Sequence, residues 1–386
     1  MRAVQGATRD LVRGPHRRTM RATAWNLAGG YKAIPAVDGE VSFRRSQAVG
    51  ERSGRIRLPI TDPDGSSWLP QDENSFLGVF GQYVTVEAHY AFPDGTEDVI
   101  DLGEFPIIGV AVERPGGFIT LTLGDWAVRA EKNVFDRTRR LGKGTLGSVV
   151  KTWLDKALPN AVTVTGSGAN NTVSESKEVS AGAPVWAELA DLAESVDASI
   201  TMLDRSHVEL VDDPYKPPTS GVQETLDIGP DGVVKAIDTE MDLLSMLNRV
   251  TVIHENTEKK RTYRSTLSLT KGPFAVAVAG THDLVETESS DTASQSTADK
   301  RAKYLYARRV GVGRSLTVQI VPMAWLEPGD VVRVTGLSGR SEVARVESVT
   351  VPFLPDETSE IRTRTYMNET GLAPMTATDE MFGAAL

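Results

Sequence analysis

Few residues in this chain have the types and spacing that do chemistry. Gly142-Lys-Gly-Thr-Leu-Gly147 fits the G-x-G-x-x-G pattern, which cradles a dinucleotide pyrophosphate at a helix start. That chemistry needs a buried strand just before the glycines and an acid about 20 residues later. Here the preceding Asp136-Arg-Thr-Arg-Arg140 is highly charged and only a polar stretch follows Val164, so a flexible lead-in to a helix is the better reading. No Walker sequence is present. Gly336-Leu-Ser-Gly339 misses the nucleophile elbow because Arg340 stands where glycine is required; it reads as a hairpin turn. His16, His89, His207, His254 and His282 lack partners at metal spacing, so no zinc site is expected. Asp62-Pro-Asp-Gly65 lacks the acids of a calcium loop. Carboxylate pairs can meet from anywhere in a fold, so the 52 acidic residues decide nothing. Trp68, Trp126, Trp153, Trp186 and Trp325 could line a sugar groove, although Trp153 and Trp186 sit at helical core spacing. Cysteine is absent, which removes disulfides, thiol catalysis and thiolate zinc, and fits a reducing cytoplasm. The expectation is a protein with no catalytic, cofactor or metal residues, and not an enzyme.

The elements that would position any such residues are mostly strands. Val41-Ser-Phe-Arg and Gly54-Arg-Ile-Arg-Leu58 alternate apolar and polar residues. Phe118-Ile-Thr-Leu-Thr-Leu123 puts Ile119, Leu121 and Leu123 on one face. Asp62-Pro-Asp-Gly65 is a turn by its chemistry. Thr145 caps an expected helix to Leu158, with Leu146, Val149, Val150, Trp153, Leu154 and Ala157 on one side and Pro159 as its stop. A strand over 161–165 and a polar loop over 166–182 follow. Pro184 opens a second helix that buries Val185, Leu189, Leu192 and Val196. Residues 198–211 read as a hairpin about Asp204-Arg-Ser206, and 213–218 as a hinge. Strands resume at 233–237 and 248–253; a polar stretch, 286–297, leads to a third helix over 298–309.

The 386 residues suffice for two to four domains, and a hydrophobic content of 40% suits a globular protein. No apolar run reaches membrane-spanning length, and the charged start, Met1 to Arg13, lacks a secretion signal core. The net charge of −10 is uneven: residues 1–60 carry +8 and the remainder −18. Residues 1–20 read as a short basic helix or arm ended near Gly14-Pro15, whose Arg2, Arg9, Arg13, Arg17, Arg18 and, just beyond, Arg21 can dock on an acidic neighbour or another copy. The bland alternative is a solvated face. One aromatic, Trp25, and an acidic whole argue against nucleic-acid binding.

One β phrase recurs. Phe80-Gly-Gln-Tyr-Val-Thr-Val86, followed by Phe105 to Val112, matches Pro328-Gly-Asp-Val-Val-Arg-Val334, followed by Val343 to Val351. Gly81 faces Gly329, Val84 faces Val332, Val86 faces Val334, Val110 faces Val349 and Val112 faces Val351. The expected division is an arm at 1–24, a first β-barrel at 25–130 and an α/β insertion at 131–218. A second barrel at 219–370, with a helical insertion near 285–310, precedes a tail at 371–386 that is disordered or donated to a neighbour. The fold class is mainly β with helical insertions.

Several phrases, in order, resemble the minor tail proteins of phages infecting actinobacteria, the hub proteins at the distal end of the tail. They are Met1-Arg-Ala-Val, Val41-Ser-Phe-Arg-Arg, Gly54 to Gly65, Phe80-Gly-Gln-Tyr-Val, Leu102-Gly-Glu-Phe-Pro-Ile, Leu123-Gly-Asp125, Val185 to Ala193 and Leu326 to Val332. The resemblance implies a structural virion protein of the tail tip, or baseplate hub. It implies a homotrimer in which two related β-barrels per chain make a quasi-six-fold ring. The implied partners are a distal tail ring protein, the tape-measure protein, and a tail fibre or central spike. DNA passes through the ring without specific binding during ejection, and the particle is assembled in the host cytoplasm. The chain's stop at Leu386 is expected to leave out an attached hydrolase. The alternatives are a hexameric distal tail ring protein and a glycan-binding or glycan-degrading tail protein.

Overall fold

The structure, a computed structural model, describes all residues except 15, 46–48, 63, 159, 175, 213–220, 242–245, 273, 291–292, 311–313, 338–339 and 366–386. The expected hinge, the Pro159 stop, the tail and part of the Gly336–Gly339 turn lie outside the described residues. Strand exceeds helix, 48% to 17%, so the fold is mainly β as expected. Among the described residues no closed barrel is found.

The chain divides into two compact units. The first comprises residues 1–214, 320–329 and 347–360. It opens with α1 (Gly6–Leu11), a short helix as one of the two readings of the start has it, and β1 (Arg17–Trp25), a strand where a basic arm is expected. Nine residues of β1 pair antiparallel with a later strand, from Arg17↔Ala91 to Trp25↔Tyr83. Then come β2 (Tyr31–Ile34), β3 (Asp38–Arg45), β4 (Val49–Pro59), β5 (Tyr83–Ala91), β6 (Glu97–Glu113) and β7 (Phe118–Leu123). They lie in the order β3-β4-β7-β6-β5-β1-β2. Period-two alternation buries Val41, Phe43, Ile56, Leu58, Ile119, Leu121 and Leu123, as the sequence pattern requires. Asp62–Gly65 is a turn closed by the Gly65 amide donating to the Asp62 carbonyl at 2.9 Å.

Residues 127–212 cover most of the stretch expected as an α/β insertion at 131–218. They hold α2 (Ala127–Lys132), β8 (Arg139–Leu141), β9 (Gly144–Thr145), α3 (Leu146–Ala157), β10 (Thr163–Thr165), β11 (Thr172–Val173), β12 (Lys177–Val179), α4 (Val185–Ser195), β13 (Ala198–Asp204) and β14 (His207–Asp212). Thr145 caps α3, its hydroxyl accepting from the Ser148 amide at 3.4 Å. Leu146, Val150, Leu154, Trp186, Leu189, Ile200 and Leu210 make one core. The expected loop over 166–182 instead contributes β11 and β12, which pair with β9 and β8. Both are only two or three residues long, so they leave no apolar period to read.

The second unit comprises 215–319, 330–346 and 361–386. The remaining elements in chain order are β15 (Glu224–Leu226), β16 (Val234–Met241), β17 (Arg249–Asn256), β18 (Arg261–Ser268), α5 (Val276–Ala279), β19 (Asp283–Ser290), α6 (Gln295–Arg309), β20 (Arg314–Ile320), β21 (Val331–Leu337), β22 (Arg340–Pro352) and β23 (Ser359–Thr365). β17, β18, β19 and α6 form a small α/β layer around Val250, Val252, Ala298, Ala302 and Leu305. The polar stretch expected over 286–297 begins as the end of β19, which runs parallel to β17, and closes in the first residues of α6. Ser294 caps α6 with a reciprocal Ser294–Thr297 box, three residues before the expected start.

One strand order occurs twice. β3-β4-β7-β6-β5 takes its strands as first, second, fifth, fourth and third in chain order, and β16-β20-β23-β22-β21 does the same. In both, a long strand pairs antiparallel with the strand before it. Gly81 and Gly329, with φ of +141° and +104°, precede the matching strands β5 and β21. Val84 opposes Phe105 and Val332 opposes Ala344. Counting on from these pairs sets Val110 beside Val349 and Val112 beside Val351, in the register expected from the sequence. Their burial differs: Val349 and Val351 are buried, whereas Val112 is 39% exposed. A bulge between Ile107 and Gly109 shifts the later half of β6 against β7 and sets Val110 and Val112 opposite the buried Leu121 and Ile119, although Val112 stays exposed.

Candidate assembly interface and buried polar cluster

The six arginines singled out in the sequence do not share one surface. Arg2 donates to the carbonyls of Ala324 at 3.0 Å and Leu326 at 3.3 Å, and pairs with Glu327 at 3.4 Å. Its guanidinium lies 4.3 Å from the Phe43 ring centroid. Arg18 is buried and donates to the carbonyls of Pro352 at 2.7 Å and Leu354 at 2.6 Å. Both therefore bind within their own unit. Arg9 donates to the Met1 sulfur, and Arg9 and Arg13 are half-buried. Arg17 and Arg21 point outward, because the period of two in β1 sends them to the face opposite Arg18. Arg21 meets Glu97 at 3.3 Å, an exposed pair of little energetic weight.

Glu97 also accepts from His89, whose Nδ1 lies 2.9 Å away while its Nε2 lies 3.2 Å from Glu87. The His89 bond holds Glu97 below the usual carboxylate range, with Arg21 adding to the effect. Among the described residues no group of three or more His, Asp or Glu could hold a metal. Trp68, Trp126, Trp186 and Trp325 are at most 4% exposed, and Trp153 packs on the insertion core as expected. A groove lined by exposed tryptophans is therefore not built from these side chains.

A buried polar cluster went unmarked in the sequence. Arg52 of β4 is buried, and donates to the carbonyls of Leu102 in β6 and Leu203 in β13. Its guanidinium lies 4.9 Å from the Phe105 ring centroid and 5.4 Å from that of Phe43. Leu102 is the extra residue of a bulge between β5 and β6, where Val86 opposes Gly103 and Glu87 opposes Asp101. Gly103 has φ +103°, and a Cβ there would collide with Arg52 Nη2. Asp125 lies at the start of α2, where Oδ1 accepts from the Ala127 amide at 2.9 Å. The residue is partly exposed, yet its Oδ2 is buried and has no hydrogen-bond partner. Burial pushes its carboxyl up to about 7, against the pull of the Ala127 amide and Arg52. Burial also raises Glu104, whose Oε2 lies 3.8 Å from Arg205. No sequence period flags this set: its members come from β4, β6, β13 and the α2 start.

No family model matches the chain, and no curated protein matches it in sequence. Solved structures do match in fold. The tail protein from Neisseria meningitidis MC58 has a TM-score of 0.66 at 14% identity, over 90% of this chain and 96% of that one. The 43 kDa tail protein of prophage MuSo2 from Shewanella oneidensis gives 0.61 at 12% identity, over 92% and 100%. Prophage tail protein gp18 from Listeria monocytogenes EGD-e gives 0.56 at 11% identity, over 90% and 94%. This chain thus has the fold of phage tail proteins, in line with the resemblance carried by its sequence phrases.

Proposed function

We propose that this chain is a structural protein of the phage tail tip, a baseplate hub that works as a homotrimer. The observation that carries the reading is the strand order found twice in one chain, on the fold of phage tail proteins. Two related β-units per chain give six around a three-fold axis. Such a ring presents six-fold character to a hexameric tail ring and three-fold character to a fibre or spike. The two units stand for the paired barrels of a hub and arose by duplication. DNA and the tape-measure protein pass through the centre during ejection. The net charge of −10 favours unhindered passage, because an acidic wall gains nothing from phosphate. Arg17 and Arg21, which point outward, take the docking role assigned to the basic start. No catalytic role is part of this reading.

The reading in which the chain forms a hexameric distal tail ring needs one β-unit per chain, and the doubled strand order counts against it. Negative-stain images of the purified full chain test the proposal. Class averages with six peripheral lobes and three-fold symmetry support the hub; a ring with twelve lobes contradicts it.

A further inference from the structure

We propose that Arg52 is a latch holding the α/β insertion, residues 127–212, on the β-sheet of its own unit, and that the charge on Asp125 sets how tightly the latch closes. The insertion core is built mainly from its own residues, with Tyr83 of β5 in the same cluster and Trp25 and Val49 packed against it, so loosening is a local event. Its hydrogen-bonded and ionic ties to the sheet are few. β13 pairs with β4 at only two positions, Ile200↔Val49 and Thr201↔Gly50. A Cβ on Gly50 would collide with Thr201, so that approach depends on glycine. Beside it stand the Arg45–Glu209 pair at 2.9 Å, the Arg205–Glu104 contact at 3.8 Å, and the Arg52 bond to the Leu203 carbonyl. Only the last is made by a buried cation.

Asp125 competes for that cation. Its Oδ2 is a buried acceptor with no partner. When the carboxyl is neutral, Arg52 is free to serve the Leu102 and Leu203 carbonyls. When it ionises, the carboxylate must either capture the guanidinium, drawing it from Leu203, or be exposed to water. Either response weakens the hold on β13. The other charges facing the pair are Asp101 and Glu104 of β6, Asp204 and Arg205 of the β13–β14 turn, Glu131 of α2, and Glu327. Burial raises the carboxyl to about 7 from its ordinary 3.8. The protonated form favours the closed state, and that contribution is lost as pH rises through about 7.

Hydrogen exchange on the full chain from pH 5.5 to 8.5, corrected for intrinsic rates, tests this. Protection of residues 198–212 should fall about tenfold between pH 6 and pH 8, while that of 17–25 stays level. Asp125→Asn should abolish the fall, and Glu104→Gln should keep it. A flat wild-type profile over 198–212, or a fall that persists in Asp125→Asn, overturns the proposal. Should Asp125→Asn fail to fold, the wild-type contrast between 198–212 and 17–25 decides alone. The latch lies within one unit of one chain and does not depend on the trimer.

Discussion

A guanidinium taken out of water needs acceptors fixed in place, and those acceptors in turn depend on it. Arg18 serves the carbonyls of Pro352 and Leu354, so Arg18→Met should cost about 2–3 kcal/mol, read as a lower urea midpoint with unchanged slope. At Gly103, an alanine meets both a left-handed backbone and the Arg52 guanidinium. Gly103→Ala should therefore destabilise by at least ~1–2 kcal/mol, and Arg52→Ala in the same chain should relieve part of that penalty in a double-mutant cycle. Asp62 behaves in the opposite sense to Asp125. Burial acts to raise its carboxyl, but bonds from Lys32 and Trp68 outweigh that and hold it below 3.8. Its contribution is present above pH 3.8 and disappears as pH falls through its lower folded value. Asp62→Asn should accordingly flatten the decline of Tm between pH 4 and pH 2.

Elements bound by a period and a cap were the ones the sequence revealed. α3 needs its Thr145 cap and its Leu146, Val149, Val150 and Leu154 stripe, all of which follow from spacing. Thr145→Ala should cost ~1 kcal/mol by urea unfolding, while a surface change such as Lys156→Ala on the same helix should cost less than ~0.5 kcal/mol. β7 was equally plain, because its alternation matches a half-buried strand. β19 was not: Asp283-Leu-Val-Glu-Thr-Glu-Ser-Ser290 is mostly polar, and it becomes a strand because β17 offers it a parallel edge. The strand β1 and the inward arginines at the start were missed for a related reason. Arginine marks a surface only where water is the best partner, and in Arg2 and Arg18 backbone carbonyls replace it. The Arg52 cluster was invisible because tertiary contact alone brings Leu102, Asp125 and Leu203 to it.

For the whole molecule, the doubled strand order matters more than any single side chain. A sequence phrase of a few valines and glycines marked it, and the ladder registers place those residues in equivalent pairs. The burial pattern departs after a bulge in β6, where Val110 is half-buried and Val112 exposed. Two units that share topology but differ in exposed faces suit a ring whose six lobes are alike without being identical. The most direct measurement is the mass of the purified chain by light scattering, across concentration and salt. The account predicts a trimer of the 41.7 kDa chain, about 125 kDa. A hexamer, about 250 kDa, that persists on dilution would contradict it and favour the distal ring.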